Sequence, residues 1–229
     1  MAVNGAPVHG GNVHAAAREL HRPIGSILDF SASINPLGPS RQAVRALHDA
    51  ASLVEHYPDP DCFSLKRAIE HRWQIPTDCV VVGNGSTELI DVIPRALSIR
   101  SALIVGPTYG EYPRAVRHAG GRTSMVLATG EDDYRPPLEK VTHRLLEQRR
   151  GRAGIDAVFI CHPNSPTGRP CRRADLQALF NAADRARSCV ILDESFIEYC
   201  GELSSVRHLR SFPRLIILRS FTKFYGLPG

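Results

Sequence analysis

The stretch AVFICHPNSPTGRPCRRADLQALFNAADRARSCVILDE, residues 157–194, holds the unit from which the fold is read. AVFIC (157–161) and CVILD (189–193) are short, apolar throughout and rich in Val and Ile, as strands covered on both faces require. Between them RRADLQALFNAADRAR carries apolar residues at helical spacing. A strand, a helix and a second strand in this order make a crossover, which joins parallel neighbours. The rhythm extends both ways: CVVV (79–82), ALIV (102–105) and TSMVLA (123–128) precede the unit, and RLIILR (214–219) follows it. STELIDVIPRAL and YPRAVRHAGG supply further helical patterns, with Ser86 placed to cap the first and Gly120 and Gly121 to stop the second. The expected fold class is α/β, a mostly parallel sheet with helices on both faces. Residues 1–50 break the rhythm: Pro, Gly and His precede the helix-like RQAVRALHDAASLVEH. They read as an N-terminal arm and connecting helix outside the sheet, with the sheet domain over 51–229.

Composition narrows the function. A net charge of +5 is spread along the chain without a basic run, which argues against nucleic acid as a partner. No apolar stretch approaches the roughly 20 residues needed to span a membrane, so no membrane association is expected. Six cysteines form no C-x-x-C pair and the opening MAVNGAPVHGG is not an apolar signal, which together point to a reducing, cytoplasmic setting. His and Cys do not cluster at ligand spacing, so no metal is expected, and His9 and His162 read as hydrogen-bonding groups.

Open sheets of this kind bind ligands beyond the carboxyl ends of their strands. Five strand-end loops carry unusual chemistry. Gly83-Asn84-Gly85-Ser86-Thr87-Glu88 is either a helix start or an anion cradle of free backbone N–H groups; it lacks the lysine of a P-loop and the third glycine of a dinucleotide fingerprint. Gly106-Pro107-Thr108-Tyr109-Gly110-Glu111-Tyr112 places an aromatic at the same edge, for packing or for stacking on a ring. His162-Pro163-Asn164-Ser165-Pro166-Thr167-Gly168 is a rigid turn that can present amide and hydroxyl groups. CVIL runs straight into Asp193-Glu194. RLIILR runs into Ser220-Phe221-Thr222-Lys223, which sets one of only three lysines among aromatic residues, where a depressed pKa makes an amine a nucleophile. Together these loops offer a phosphate cradle, a flat aromatic, an amide or hydroxyl, a carboxylate and a lysine able to form a Schiff base. That set matches pyridoxal 5'-phosphate, whose aldehyde takes a lysine and whose ring nitrogen takes a carboxylate.

From HGGN (9–12) through DFSASINPLGP (29–39), YPDP (57–60), GNGSTEL, PTYGEY, HPNSPTG and LDESFIEY to SFTKFYGLPG, the chain resembles the fold type I pyridoxal-phosphate enzymes. The likeness is to the branch that holds the histidinol-phosphate aminotransferases and the threonine-phosphate decarboxylases of cobalamin synthesis. The resemblance implies that Lys223 bonds the cofactor aldehyde and transfers protons, that Asp193 partners the ring nitrogen and that Tyr109 stacks on the ring. It implies that Gly85, Ser86, Thr87, Ser220 and Thr222 cradle the phosphate, and that Tyr57 is lent across a homodimer to the neighbouring cofactor. It places Asn164 and Ser165 near the ring oxygen, and His9, Gly10, Ser33 and Ser165 against a small phosphorylated amino acid or amine.

HGGN with DFSASINPLGP, and Phe196 where the aminotransferases carry Tyr, favour the decarboxylases, with transamination as the alternative. Ser33 and Ser165 depart from that pattern, which has Asn at both positions. In the family the chain continues past the lysine through an arginine, an antiparallel strand inside the sheet and a small C-terminal domain. Residues 51–229 are therefore expected to be a cofactor-binding large domain, incomplete at its C-terminal end and without the small domain. An inactive fragment is the further alternative.

Overall fold

The computed structural model describes residues 10–147 and 154–228; His9 lies outside them. The helices are α1 (Val13–Leu20), α2 (Arg41–Asp49), α3 (Phe63–Trp73), α4 (Gly85–Ala96), α5 (Glu111–His118), α6 (Leu138–Leu146) and α7 (Arg173–Ala186). The strands are β1 (Ser101–Gly106), β2 (Arg122–Leu127), β3 (Ala157–Cys161), β4 (Cys189–Asp193) and β5 (Leu215–Leu218). They form one sheet in the order β2-β1-β3-β4-β5, every pair parallel. No helix among the described residues is long and apolar enough to cross a membrane.

Strand alternation divides the core into two layers. Val158 and Ile160 of β3 face α6 and α7, meeting Leu103, Val141, Leu145, Leu176, Phe180, Val190 and Leu192. Ala157, Phe159 and Cys161 face α4 and α5, meeting Ile90, Ile104, Tyr112, Val116 and Ile191. Both faces of β3 are covered, and all five of its residues are buried. That is why the run reads as continuously apolar instead of alternating.

The stop of α5 follows its glycines. Gly120 (φ +76°) donates to Arg117 O and Gly121 donates to Val116 O, each at 2.9 Å. A Cβ on Gly121 would lie 2.7 Å from Ile99 O, so the turn into β2 has room for no side chain there.

Two expectations are corrected. CVVV (79–82) is not a strand: Thr77–Cys79 make a 3₁₀ turn, and Val80, although extended, opens a stretch that pairs with nothing among the described residues. A strand needs a ladder, and β5, the edge of the sheet, pairs only with β4. Ser86 does not cap α4, which begins at Gly85 with Asn84 as its N-cap. The Asn84 N–H is instead met by the Glu88 carboxylate reaching back, and Ser86 lies in the first turn. Three helices lay outside the expected pattern: α1, whose N-terminus Asn12 caps by accepting from the Ala15 N–H, and α3 and α6.

The arm is not free of the sheet domain. The Asn35 N–H donates to Lys223 O and its Nδ2 donates to Phe224 O, both at 2.9 Å. Gly226 (φ +67°) lies so close to Gly38 that a Cβ there would come within 2.8 Å of its carbonyl carbon.

Candidate functional site

The order of the strands locates the site. The chain passes from β1 outward to β2, then returns past β1 to β3, so the winding reverses between β1 and β3 and opens a crevice beyond their carboxyl ends. The loops after these strands flank that crevice and are tied together: Asn164 Nδ2 donates to Pro107 O at 2.9 Å. Its second N–H donates to Thr167 Oγ1 at 2.8 Å, so both donors of the amide hold the turn.

Asp193 ends β4, level with Cys161 of β3 and Leu218 of β5, and is 4% exposed. Its Oδ2 accepts from the Tyr112 hydroxyl at 2.7 Å, and its Oδ1 accepts from the Ser195 N–H at 2.9 Å and the Ser195 hydroxyl at 2.6 Å. A buried carboxylate needs such donors; Oδ1 takes two of them and Oδ2 one, which leaves a lone-pair position on Oδ2 for a further proton donor. Burial first, then Asp193 and Cys161 alongside, push the Tyr112 hydroxyl well above its ordinary pKa. It therefore stays protonated and donates. Burial likewise pushes the Cys161 thiol up to about 12.

Tyr112 is itself held by packing. Its ring stacks on Phe159 with centroids 5.6 Å apart and meets Tyr109 edge-on at 5.7 Å. Tyr109 in turn reaches the glycine turn, its hydroxyl 3.4 Å from Thr87 Oγ1. The glycine turn, the tyrosine loop, the Asn164 turn and Asp193 are thus linked through one set of side chains. Gly85 (φ +77°) adopts a conformation that favours glycine, and the space where its Cβ would lie is open.

Lys223 stands past the end of β5, half-buried, its Nζ 5.8 Å from the centre of the Phe196 ring. The Thr222 N–H donates to Ser220 Oγ at 3.1 Å, which curls the loop at the lysine. On either side of it in the chain, Phe221 and Phe224 each pack on the Tyr225 ring. Because the Glu194 N–H donates to Leu218 O at 3.0 Å, the loops bearing Asp193 and Lys223 leave adjacent strands in register.

Other residues singled out in the sequence stand apart. Tyr57 is fully exposed, and Ser33 is exposed. Gly10 packs on the Ser31 backbone, where a Cβ would overlap Ser31 O, and the Gly11 N–H donates to Ser31 Oγ at 2.7 Å, so Gly10 and Gly11 meet Ser31 within the arm. Ser165 is half-buried on its turn. His162 is a structural group: Nδ1 accepts from the Cys171 N–H at 3.0 Å, and Nε2 lies 3.3 Å from Leu203 O. Sequence reasoning missed Tyr112, Ser195 and Cys161 as the floor beneath Asp193. Tyr112 was visible as a second tyrosine in the PTYGEY loop, in the first turn of the helix that follows it.

Known proteins share the sequence pattern and the fold of this chain. The model of the family "Aminotransferase class I and II" matches residues 26–229. The chain is 40% identical over 225 residues to a threonine-phosphate decarboxylase of Salmonella typhimurium, covering 96% of this chain and 59% of that one. It is 31% identical to a histidinol-phosphate aminotransferase of Stutzerimonas stutzeri, covering 97% of this chain and again 59% of the relative. The chain thus spans about three-fifths of the length of the curated relatives it matches. Among solved structures it superposes on a histidinol-phosphate aminotransferase from Clostridium acetobutylicum with a TM-score of 0.78 at 26% identity, over 89% of this chain and 58% of that one. The L-threonine-O-3-phosphate decarboxylase from Porphyromonas gingivalis shares the fold with a TM-score of 0.69 at 24% identity, over 87% and 59%. The chain belongs to the aminotransferase class I and II family, whose enzymes depend on pyridoxal phosphate.

Proposed function

We propose that the protein of this chain is a pyridoxal-phosphate enzyme acting on a small phosphorylated amino acid, and that it removes the carboxyl group of threonine phosphate. The observation that carries the reading is the juxtaposition of a buried, triply hydrogen-bonded Asp193 with a half-buried Lys223 on loops leaving adjacent strands. The residues fit the cofactor. Asp193 has one lone-pair position left, on Oδ2, for a ring N–H, the space beside Gly85 is open, and Thr108 Oγ1 is buried without a partner among the described residues.

When bound, pyridoxal phosphate supplies an electron sink for the bond broken at the substrate's α-carbon. Asp193 holds a proton on the ring nitrogen by its charge, and Tyr112 and Ser195 keep the carboxylate in place. Lys223 is the attachment amine and afterwards the group that carries a proton to or from the α-carbon. Tyr109 covers one ring face. Gly85, Ser86, Thr87, Ser220 and Thr222 hold the phosphate, the first three at the N-terminus of α4, where free N–H groups favour an anion. Asn164 and Ser165 would border the ring oxygen and Gly10 and Ser33 of the arm would meet the substrate once the site is occupied; His9, assigned with them from the sequence, lies outside the described residues.

A homodimer completes the proposal. Phe30, Leu37, Leu53, Val54 and Tyr57 are each at least 62% exposed, and a second copy that covers this strip would receive Tyr57 at its own phosphate site. The free thiols of all six cysteines suit the cytoplasm.

Transamination is the second reading, favoured by the histidinol-phosphate aminotransferases among the relatives and structural neighbours. Assays for CO₂ release from threonine phosphate and for amino transfer from histidinol phosphate to 2-oxoglutarate separate the two. They are run on the chain and on the chain extended by its own downstream coding sequence wherever that continues the frame. CO₂ release is the expected result, and amino transfer alone would overturn the decarboxylase assignment.

A further inference from the structure

Behind the two loops that carry Asp193 and Lys223 lies a buried charged cluster to which the proposed mechanism gives no task. Arg219 is the residue after β5, and Glu194 the residue after β4. Their side chains pair at 3.0 Å, with Glu194 wholly buried and Arg219 16% exposed. The same guanidinium donates to Glu198 at 2.6 Å and to Ser204 Oγ at 2.7 Å. Its flat face lies 4.7 Å from the centre of the Trp73 ring, on the last residue of α3. Glu194 accepts in addition from the Ser205 N–H at 2.7 Å and the Ser204 hydroxyl at 2.9 Å.

The cluster reaches the lysine loop from its other side. The Tyr225 hydroxyl faces the Glu198 carboxylate, and its ring packs on Phe221 and Phe224, the residues on either side of the stretch that bears Lys223. A chain of side chains therefore runs from Glu194, the neighbour of Asp193, through Arg219, Glu198 and Tyr225 to Phe221 and Phe224, which flank Lys223 in the loop. Two carboxylates buried beside one guanidinium gain little net stability, because the cost of desolvating them offsets their attraction. The arrangement does fix relative position: a planar fork bonded to two carboxylates and a hydroxyl, and stacked on an indole, has a single orientation.

We propose that Arg219 is a positioning residue that sets Lys223 relative to Asp193 by clamping both loops from behind. The inference rests on the reading of Lys223 and Asp193 as the reacting pair, but its test needs no cofactor.

The full chain has three lysines, so competitive acetylation read by mass spectrometry compares Lys223 with Lys66 and Lys140 as internal references. It also has one tryptophan, Trp73, whose emission reports whether the stacked guanidinium is in place. Arg219→Gln is expected to change the labelling rate of Lys223 about fivefold relative to both references, the scale expected on losing one member of a coupled hydrogen-bonded network. Arg219→Lys keeps the charge but cannot fork or stack, so it is expected to change the rate in the same direction.

Where Arg219→Gln fails to fold, Tyr225→Phe keeps the ring and removes only the hydroxyl facing Glu198, and is expected to change the rate about twofold. The Arg219→Gln, Tyr225→Phe double variant is expected to show no more than the larger single effect. Folded variants whose Lys223 labels at the wild-type rate would overturn the proposal, as would full rescue by Arg219→Lys. A wild-type chain that develops no absorption band with pyridoxal phosphate would count against the proposed function, whereas the labelling rates decide the clamp.

Discussion

The sheet domain and the N-terminal third treat apolar residues in opposite ways. From Ile90 onward, Leu103, Ile104, Phe159, Ile191 and Leu192 are completely buried, whereas before Ile90 the buried core receives, among the described residues, only Ala17. In that first stretch Leu28, Phe30, Leu37 and Val54 are more than four-fifths exposed. One region closes its own core. The other carries comparable apolar material and spends little of it within the chain, which is why the site built on the sheet is well ordered by packing while the arm's residues meet it mainly through Asn35.

The largest test of this contrast compares truncations. Phe159→Ala is expected to cost about 3–5 kcal/mol, a large share of the roughly 5–15 kcal/mol that holds a domain together. Phe30→Ala is expected to change the stability of the separate chain by less than about 0.5 kcal/mol, as surface substitutions do. Denaturant unfolding of the two variants measures both values. If a second copy covers the arm, Phe30→Ala instead weakens association, seen by sedimentation. Equal losses of stability would break the comparison.

Asn35 is where the regions meet, and the next effect lies there. Asn35→Ala removes the bond to Phe224 O and the bond from the Leu37 N–H to its own Oδ1, and is expected to loosen the lysine loop by about 1–2 kcal/mol. Hydrogen exchange at the amides near Lys223 should quicken while that of β3 stays unchanged. Faster exchange throughout the sheet would mean that the arm supports the whole domain.

How much of this was legible depended on where the partner of each residue lies. Five of the six apolar runs became strands because each is flanked by its partners within the sheet, and the period of α5 and α7 could be read from their buried faces. Val80–Val82 has the same composition but no neighbour on β5's edge, and composition alone cannot reveal a missing ladder. Asp193 was visible as a charge ending a buried strand. Its floor was not, because Tyr112 comes from 81 residues earlier in the chain. Arg219 was read only as the last residue of a strand; an arginine closing a buried run beside a Glu that closes another was the unused signal.

The smallest expected effect concerns pH. Burial lowers the pKa of His162 below its ordinary value, against a smaller pull from Leu203 O. A neutral buried imidazole contributes stability that is fully present above the unfolded pKa of about 6.5 and is lost as pH falls toward the folded value. The melting temperature should therefore decline below about pH 6.5, and His162→Gln, which does not titrate, should remove part of that decline. A decline that His162→Gln leaves intact would contradict this assignment.

The central claim is that Lys223, in the loop after β5 and beside the strand that ends in the buried Asp193, is the amine that binds pyridoxal phosphate. The most direct measurement is to add pyridoxal phosphate to the full chain, reduce with borohydride and map the modified lysine by peptide mass spectrometry. The account predicts a visible band that borohydride removes, with the cofactor fixed on Lys223 and absent from Lys66 and Lys140. Modification spread over all three lysines, or confined to one of the other two, would contradict it.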